Sequence, residues 1–231
     1  MRYGNIKEAR FLSRQNRFIA TVEVDGVPTV VHVKNTGRCR ELLVPGATVF
    51  LEKSDNPARK TQYDLVAVIK GERLINMDSQ IPNAAAEEWI KSGAFKENVS
   101  LVRREVTYGN SRFDLYVEYS EADGELKKAF VEVKGVTLED NGIVRFPDAP
   151  TERGIKHINE LAECMKEGYE AYLLFVIQMK NVRYFEPDRN IHADFADTLK
   201  KAVRNGVTVL AYDCEGTPNS MEIKDSVEVR I

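Results

Sequence analysis

Two oppositely charged side chains stand two residues apart within a segment that otherwise has the composition of a β-strand. The segment is KKAFVEVKGVTL, residues 127–138, and its charged pair is Glu132 and Lys134. Side chains alternate along a strand, so this pair projects from one face. A Glu-x-Lys pair on a strand is by itself most often a solvated ion pair. Its chemistry therefore depends on what lies beside it.

A third charged residue, Asp114, lies 18 residues before Glu132 in the strand-like segment SRFDLYV. If the two strands pair, Asp114 and Glu132 converge. Two carboxylates at that spacing suit a hard divalent cation, Mg²⁺ or Mn²⁺, as a cofactor. A neighbouring ammonium can orient or deprotonate an attacking water and can offset charge that builds on a phosphate. We therefore predict that Asp114, Glu132 and Lys134 are catalytic and that the two acids bind the metal.

The sequence leaves open which further acid completes this metal site. Glu105, in the segment RREVTYG, can lie beside Asp114 across the hairpin turn at Gly109, and we include Glu105 among the predicted metal ligands. Glu87 and Glu88, on a preceding helix, are the alternatives. For those two residues a solvated helix face is the more ordinary explanation.

A phosphate-binding element is predicted where the loop RFPDAPTERGIKH, residues 145–157, enters a helix capped by Thr151. The N-terminus of a helix presents free N–H groups and a partial positive charge. Arg153 and His157 are four residues apart, so they share one helical face, away from the apolar stripe. We predict that they contact phosphate or lie over the metal site. An ordinary capped surface helix is the alternative.

Residues 1–80 are predicted to form an all-β domain. RFIATVEVDGVPTVVHVKN contains two alternating strands joined at Asp25-Gly26, a strong hairpin signal. Four or five short strands without a long helix are typical of a small barrel of the OB type. The loop HVKNTGRCREL carries Lys34, Arg38 and Arg40. OB barrels bind nucleic acid through such basic loops, so these three residues are predicted to bind nucleic-acid phosphate.

Residues 81–231 are predicted to form an α/β domain. The segments read in the order helix, three strands, helix, strand, helix, strand, which is typical of a mixed sheet flanked by helices. The first of these helices is expected to begin near NAAAEEWIKSGAF, with Asn83 as its cap. The sequence thus predicts two domains, a barrel followed by a mixed sheet.

Composition indicates a cytoplasmic protein with a polyanionic partner. The net charge of −3 combines 13 Lys and Arg against 9 Asp and Glu in residues 1–80 with 20 against 27 in residues 81–231. A basic module beside an acidic one favours DNA as a partner.

The longest apolar run, AYLLFVI, is too short to span a membrane. MRYGNIKEAR lacks the apolar core of a signal peptide, and the three cysteines are expected to be reduced. A homodimer is left open.

The order of elements and acids resembles the PD-(D/E)xK nuclease superfamily. An Asp followed one strand later by Glu-x-Lys, inside helix-β-β-β-helix-β order, carries this resemblance. It implies that Asp114 and Glu132 bind the metal and that Lys134 assists the water. Many members carry an extra acid on the preceding helix, where Glu87 and Glu88 stand. The Pro of the superfamily motif is absent, and Phe113 occupies its place.

Several segments together resemble the sugar fermentation stimulation protein A family of bacteria and archaea. They are NTGRCREL at 35–42, PN at 82–83, SRFDLYV at 111–117, VEVKGVTL at 131–138, FPDAPTERGIKH at 146–157 and LFVIQ at 174–178. The resemblance implies an OB-like domain joined to a nuclease-like domain and DNA binding of low sequence specificity. It also implies a regulatory role in sugar (maltose) metabolism. Three functions stay open: a metal-dependent deoxyribonuclease, a non-enzymatic DNA-binding regulator on a nuclease scaffold, and a module that binds protein or carbohydrate through the barrel, which the basic loop disfavours.

Overall fold

The structure is a computed structural model that describes residues 1–35 and 37–231. The N-terminal strands are β1 (Ile6–Arg14), β2 (Ile19–Val24), β3 (Val27–Val33), β4 (Thr48–Lys53), β5 (Tyr63–Lys70) and β6 (Arg73–Asn76). The remaining elements are α1 (Ile81–Lys91), β7 (Val99–Tyr108), β8 (Ser111–Ser120), β9 (Leu126–Val136), β10 (Leu138–Asp140), β11 (Ile143–Phe146), α2 (Glu152–Cys164), β12 (Glu170–Ile177), β13 (Tyr184–Pro187), α3 (Ala193–Arg204), β14 (Thr208–Thr217), β15 (Ser220–Ser226) and β16 (Glu228–Val229).

The first five strands close into a barrel, as predicted. Their sheet runs β3-β2-β1-β4-β5-β6, and a parallel pairing of β3 with β5 closes it. The predicted hairpin turn joins β2 to β3, where Asp25 and Gly26 both have positive φ values of 51° and 80°. That geometry matches the twist of the flanking strands. The barrel interior is filled by alternating apolar residues such as Val22, Val31 and Leu65, all fully buried.

The C-terminal half is a mixed sheet with helices, which confirms the predicted fold class. Strand order is β15-β14-β12-β9-β8-β7, with β9, β12 and β14 parallel and β7, β8 and β9 an antiparallel meander. Helix α1 packs on one face, where Val131 and Val133 of β9 lie in its apolar cluster. Helices α2 and α3 cover the other face, against Leu173 and Phe175 of β12. Successive residues of β9 therefore face different helices.

The helix boundaries correct one prediction and confirm another. Helix α1 begins at Ile81 with Gln80 at the cap position, so the prediction that Asn83 caps this helix was wrong. Pro82 lies in the first turn, which its fixed φ favours. Thr151 does cap α2, because its Oγ1 accepts a hydrogen bond from the Gly154 N–H at 3.0 Å.

A second, four-stranded sheet was not predicted. Its order is β10-β11-β13-β16, and its strands are two to four residues long. Such short strands carry too little alternation to be recognised from sequence. Nowhere in residues 1–35 and 37–231 is a helix long and apolar enough to cross a membrane.

Buried polar groups join the barrel to the mixed sheet. Gln178 follows β12, and its Nε2 donates to the Asn76 carbonyl at 3.1 Å and to the Asp78 carbonyl at 3.0 Å. Glu139, in β10, accepts from Lys70 at 2.8 Å and from Arg73 at 2.9 Å, and both cations belong to the barrel. Because these groups are withdrawn from water and mutually paired, they fix how the two domains meet.

Candidate active site

Strands β8 and β9 bring together the three residues predicted to be catalytic. The antiparallel register pairs Leu115 with Val131, so Asp114 stands where the pairing ends, level with Glu132. Glu132 and Lys134 lie on one face of β9 and form an ion pair. The Glu132 side chain is only 1% exposed, and that of Lys134 is 17% exposed. An almost fully buried carboxylate is unlike the solvated ion pair that a Glu-x-Lys sequence usually forms.

One oxygen of Glu132 has no partner. Oε1 accepts hydrogen bonds from Lys134 Nζ and from His157 Nδ1. Oε2 is buried and lacks any hydrogen-bond partner among the residues that the structure describes. Burial disfavours ionisation of Glu132, but the hydrogen bond from His157 and the charge of Lys134 outweigh it and hold the pKa of Glu132 below its ordinary value. One oxygen of a charged carboxylate is therefore buried without a hydrogen-bond donor among the described residues.

Asp114 is half-buried and held by two donors. Its Oδ1 accepts from Asn83 Nδ2 at 2.8 Å, and its Oδ2 accepts from the Val133 N–H at 2.9 Å. Burial and the nearby charge of Glu132 nevertheless raise the pKa of Asp114. Two carboxylates that repel each other in this way are stabilised by a cation between them. The role of Asn83 was missed because its position at a helix start favoured a cap.

His157 is part of this cluster and not a surface residue. The prediction placed it with Arg153 on a helix face away from the apolar stripe, yet the His157 side chain is only 7% exposed. Arg153 Nε donates to His157 Nε2 at 3.4 Å, which leaves Nδ1 to carry the proton shared with Glu132. His157 therefore positions Glu132, while Arg153 remains exposed at the rim. The spacing of residues along α2 could have predicted this burial. His157 is three residues after Gly154 and four before Leu161, so it shares a helical face with these two buried residues.

None of the three candidate extra acids joins Asp114 and Glu132. Glu105 lies at a positive φ of 55°, is more than half exposed and pairs with Arg112 at 3.4 Å. Glu87 pairs with Lys91 at 2.6 Å, and Glu88 pairs with the amino group of Met1. Within the described residues, no group of three or more His, Cys, Asp and Glu side chains is arranged to hold a metal ion. Asp114 and Glu132 are therefore the two carboxylates that β8 and β9 bring together here, without a third acid among the described residues.

The basic loop of the barrel divides into internal and exposed residues. Lys34, predicted to bind phosphate, is partly buried, with 24% of its side chain exposed, and pairs with Glu52 at 3.1 Å and Asp78 at 3.3 Å. Burial opposes the charge of Lys34, yet Asp78 and Glu52 raise its pKa. Arg38 and Arg40 are exposed and line a cavity of 450 Å³. They are available to a ligand, whereas Lys34 is not.

Arg14 organises this loop, a role that the sequence did not reveal. Its Nη1 donates to the carbonyls of Gly37 at 3.0 Å and Arg38 at 2.7 Å, and its Nη2 donates to the carbonyls of Arg17 at 2.7 Å and Asn35 at 2.8 Å. A guanidinium with five donors suits this task. Because Arg14 satisfies the loop backbone, the side chains of the loop arginines are left facing solvent.

The fold and this cluster define a two-domain protein in which an OB barrel precedes a mixed sheet with a buried Asp-Glu-Lys site. Residues 12–77 match the family model described as the SfsA N-terminal OB domain, and residues 80–220 match the Sugar fermentation stimulation protein RE domain. The chain belongs to the sugar fermentation stimulation protein family.

Relatives of this family align along nearly the whole chain. The chain is 57% identical over 229 residues to a sugar fermentation stimulation protein homolog of Clostridium beijerinckii, covering 99% of both chains. It is 55% identical over 231 residues to the homolog of Ruminiclostridium cellulolyticum, covering 100% of both. Among solved structures, Pyrococcus furiosus SfsA in complex with Ca²⁺ is 27% identical, with a TM-score of 0.87, and the match covers 100% of this chain and 98% of that one.

Proposed function

We propose that this protein is a metal-dependent phosphodiesterase that binds DNA with low sequence specificity and hydrolyses its backbone. The observation that carries the proposal is the unpartnered, buried Oε2 of Glu132 beside the repelled carboxylate of Asp114. A buried acceptor without a donor is rare in a native protein and calls for an explanation. A divalent cation held by Asp114 and Glu132 supplies one. The Pyrococcus furiosus relative was solved with Ca²⁺, a hard cation of the same class as Mg²⁺ and Mn²⁺.

His157 and Lys134 have separate roles in the proposed hydrolysis. Such a cation, when bound, acts as a Lewis acid toward a phosphate oxygen and lowers the pKa of its water. His157 holds Glu132 in place and keeps that carboxylate ionised. Lys134 lies beside Glu132 and can donate a hydrogen bond to the phosphate as negative charge builds. In the reaction, water oxygen bonds to phosphorus, one P–O ester bond breaks, and the leaving oxygen takes a proton.

Substituting Lys134 tests this role. We expect Lys134→Met to lower cleavage of labelled DNA by about a hundredfold to ten-thousandfold, the range typical of a positioned acid or base. The assay compares single- and double-stranded DNA with Mg²⁺, Mn²⁺ or EDTA. Lys128→Met is the matched control, because Lys128 is an exposed residue of the same strand.

Two results contradict the proposal. One is cleavage that persists in EDTA, and the other is equal activity of the two lysine variants. If wild-type protein binds DNA but never cleaves it, the second candidate, a non-enzymatic DNA-binding regulator, is favoured instead. Among the residues that the structure describes, only two carboxylates stand at the site with no third acid beside them, and this observation keeps the second candidate open.

The barrel is proposed to supply the DNA-binding surface. Arg17, Arg38 and Arg40 are exposed around one cavity, and Phe18, next to Arg17 in sequence, is 51% exposed. Exposed cations can bind successive phosphates, and an exposed aromatic ring can stack on a base.

A DNA-binding function implies that the protein is located in the cytoplasm, with the DNA. A regulatory link to sugar metabolism rests on the family name alone, and a homodimer stays a prediction.

Salt dependence of DNA binding distinguishes exposed from internal cations. We expect Arg38→Ala and Arg40→Ala each to reduce the slope of log K against log salt by about 1, because each removes one phosphate contact. Lys34→Ala is the matched comparison: it should lower the Tm, since Asp78 and Glu52 lose a partner, but leave the salt slope unchanged. A slope altered by Lys34→Ala and unaffected by Arg38→Ala would contradict this assignment. Fluorescence anisotropy with two unrelated DNA sequences provides the measurement.

A further inference from the structure

A cavity of 520 Å³ opens beside the candidate active site, on the side of His157 that faces Arg153. Its walls come from two elements. The first residues of β8 contribute Ser111 and Arg112, and the first turns of α2 contribute Arg153, Lys156 and His157. Because His157 bonds to Glu132 through Nδ1 and faces Arg153 through Nε2, one imidazole separates the cavity from the carboxylate cluster.

The cavity wall is strongly cationic. Arg153 forms no ion pair with any residue in the described part of the chain, and Lys156 has only a distant one, 3.8 Å from Glu160. Arg112 pairs with Glu105 at 3.4 Å, but both side chains are more than half exposed, where such pairs are weak. The single acid of the wall, Glu152, is 87% exposed and lies 3.4 Å from His192. The cavity wall therefore holds three cations and one acid, with Glu105 and Glu160 near two of the cations and no acid paired with Arg153 among the described residues.

Ser111 provides independent evidence for a ligand. This residue is only 5% exposed, and its Oγ is buried without a hydrogen-bond partner among residues 1–35 and 37–231. A buried hydroxyl normally finds a partner in a native structure. Ser111 is one of the residues that line the cavity, so an oxyanion is the kind of ligand that would give this hydroxyl an acceptor.

We propose that this cavity is a phosphate subsite for the nucleic-acid phosphate adjacent to the one that is cleaved. The proposal rests on the proposed function, since it places this second phosphate next to the Asp114–Glu132 cluster. It also specifies the substrate class: a polynucleotide strand with at least two consecutive phosphates. A ligand with a single phosphate satisfies only one of the two positions.

Binding measured without metal tests the subsite independently of cleavage. The probes are a short oligothymidylate and inorganic pyrophosphate, each titrated in EDTA. We expect Arg153→Gln and Lys156→Gln each to weaken oligothymidylate binding about tenfold at low salt and to reduce the salt slope by about 0.7, the value for one phosphate contact on a single strand. Ser111→Ala should weaken binding of both probes without changing the slope, because it removes a neutral donor. Lys166→Gln, at an exposed residue two positions after the last residue of the same helix, is the control.

The outcomes separate this inference from the proposed function. If the wild-type protein fails to cleave DNA, but Arg153→Gln and Lys156→Gln still weaken binding and reduce the salt slope, the subsite inference stands and the proposed nuclease activity is contradicted. If the wild-type protein cleaves DNA, but Arg153→Gln and Lys156→Gln bind oligothymidylate as well as Lys166→Gln does, only the subsite inference is contradicted. The salt slope matters because a purely structural effect of either residue would leave it unchanged.

Discussion

Glu132→Gln is expected to abolish divalent-cation binding and to lower DNA cleavage by about a thousandfold or more, the scale for losing a central electrostatic group. Gln keeps the size of Glu132 but removes the charge of the buried Oε2. The amide also competes for the contacts with His157 and Lys134. In wild-type protein, saturating Mn²⁺ should raise the Tm by about 5 °C, because a ligand that binds only the folded state stabilises it. This shift should vanish in Glu132→Gln.

Glu105→Gln is the matched control for the metal experiment. Glu105 was predicted to be a metal ligand, but its side chain is exposed and pairs with Arg112. Glu105→Gln should therefore keep the full Mn²⁺-dependent shift in Tm. Loss of the shift in Glu105→Gln, or its retention in Glu132→Gln, would mean that the cation binds elsewhere. Circular dichroism confirms that each variant is folded before titration.

Glu139→Gln is expected to lower the free energy of unfolding by about 3–5 kcal/mol at pH 7, the usual cost of removing one partner from a buried ion cluster. Glu139 is 2% exposed, and it accepts from Lys70 at 2.8 Å and Arg73 at 2.9 Å, both from the barrel. Without its charge, two cations at the domain boundary lose their counterion. Urea unfolding measures the change. Glu163→Gln, which removes an exposed pair with Lys166, should change stability by less than about 0.5 kcal/mol.

The effect of Glu139→Gln should depend on pH. Burial disfavours the charged form of Glu139, but Lys70 and the Gly142 N–H outweigh burial and lower its pKa from the ordinary value of 4.5. Because the folded pKa is lowered, the contribution to stability is complete above pH 4.5 and is lost as pH falls through the folded value. Wild type and variant should therefore differ most at neutral pH and converge in acid. A difference that stays constant from pH 7 to pH 3 would contradict an electrostatic origin.

Local patterns predicted much of β9 and its neighbouring strands. Glu132 and Lys134 share a face because side chains alternate with a period of two, whatever the strand packs against. The Asp25-Gly26 turn and the Thr151 cap follow from similarly local chemistry, and the structure contains both. The pairing of β8 with β9, which brings Asp114 level with Glu132, was expected because the two strands are adjacent in sequence.

Partners distant in sequence escaped prediction. The basic composition of its loop indicated that Lys34 is exposed. In the folded chain, Glu52 and Asp78, on two other segments, form ion pairs with its ammonium group. Glu105 was predicted to lie beside Asp114 because the two residues face each other across a hairpin. Its backbone has a positive φ, and its side chain pairs with Arg112 instead. Neither set of contacts could be predicted, because sequence shows which residues are charged but not which charges meet.

Local chemistry was enough to predict the helices, the long strands of the barrel and of the mixed sheet, and the face on which Glu132 and Lys134 stand, but not the four short strands of the second sheet. These features depend on periodicity and turn chemistry, which act over a few residues. Only the folded chain shows that Glu132 is buried, that His157 bonds to its Oε1 and that its Oε2 has no hydrogen-bond partner among the described residues. Burial and pairing depend on which helix covers which face of the sheet. That packing is a property of the whole chain and not of any single segment.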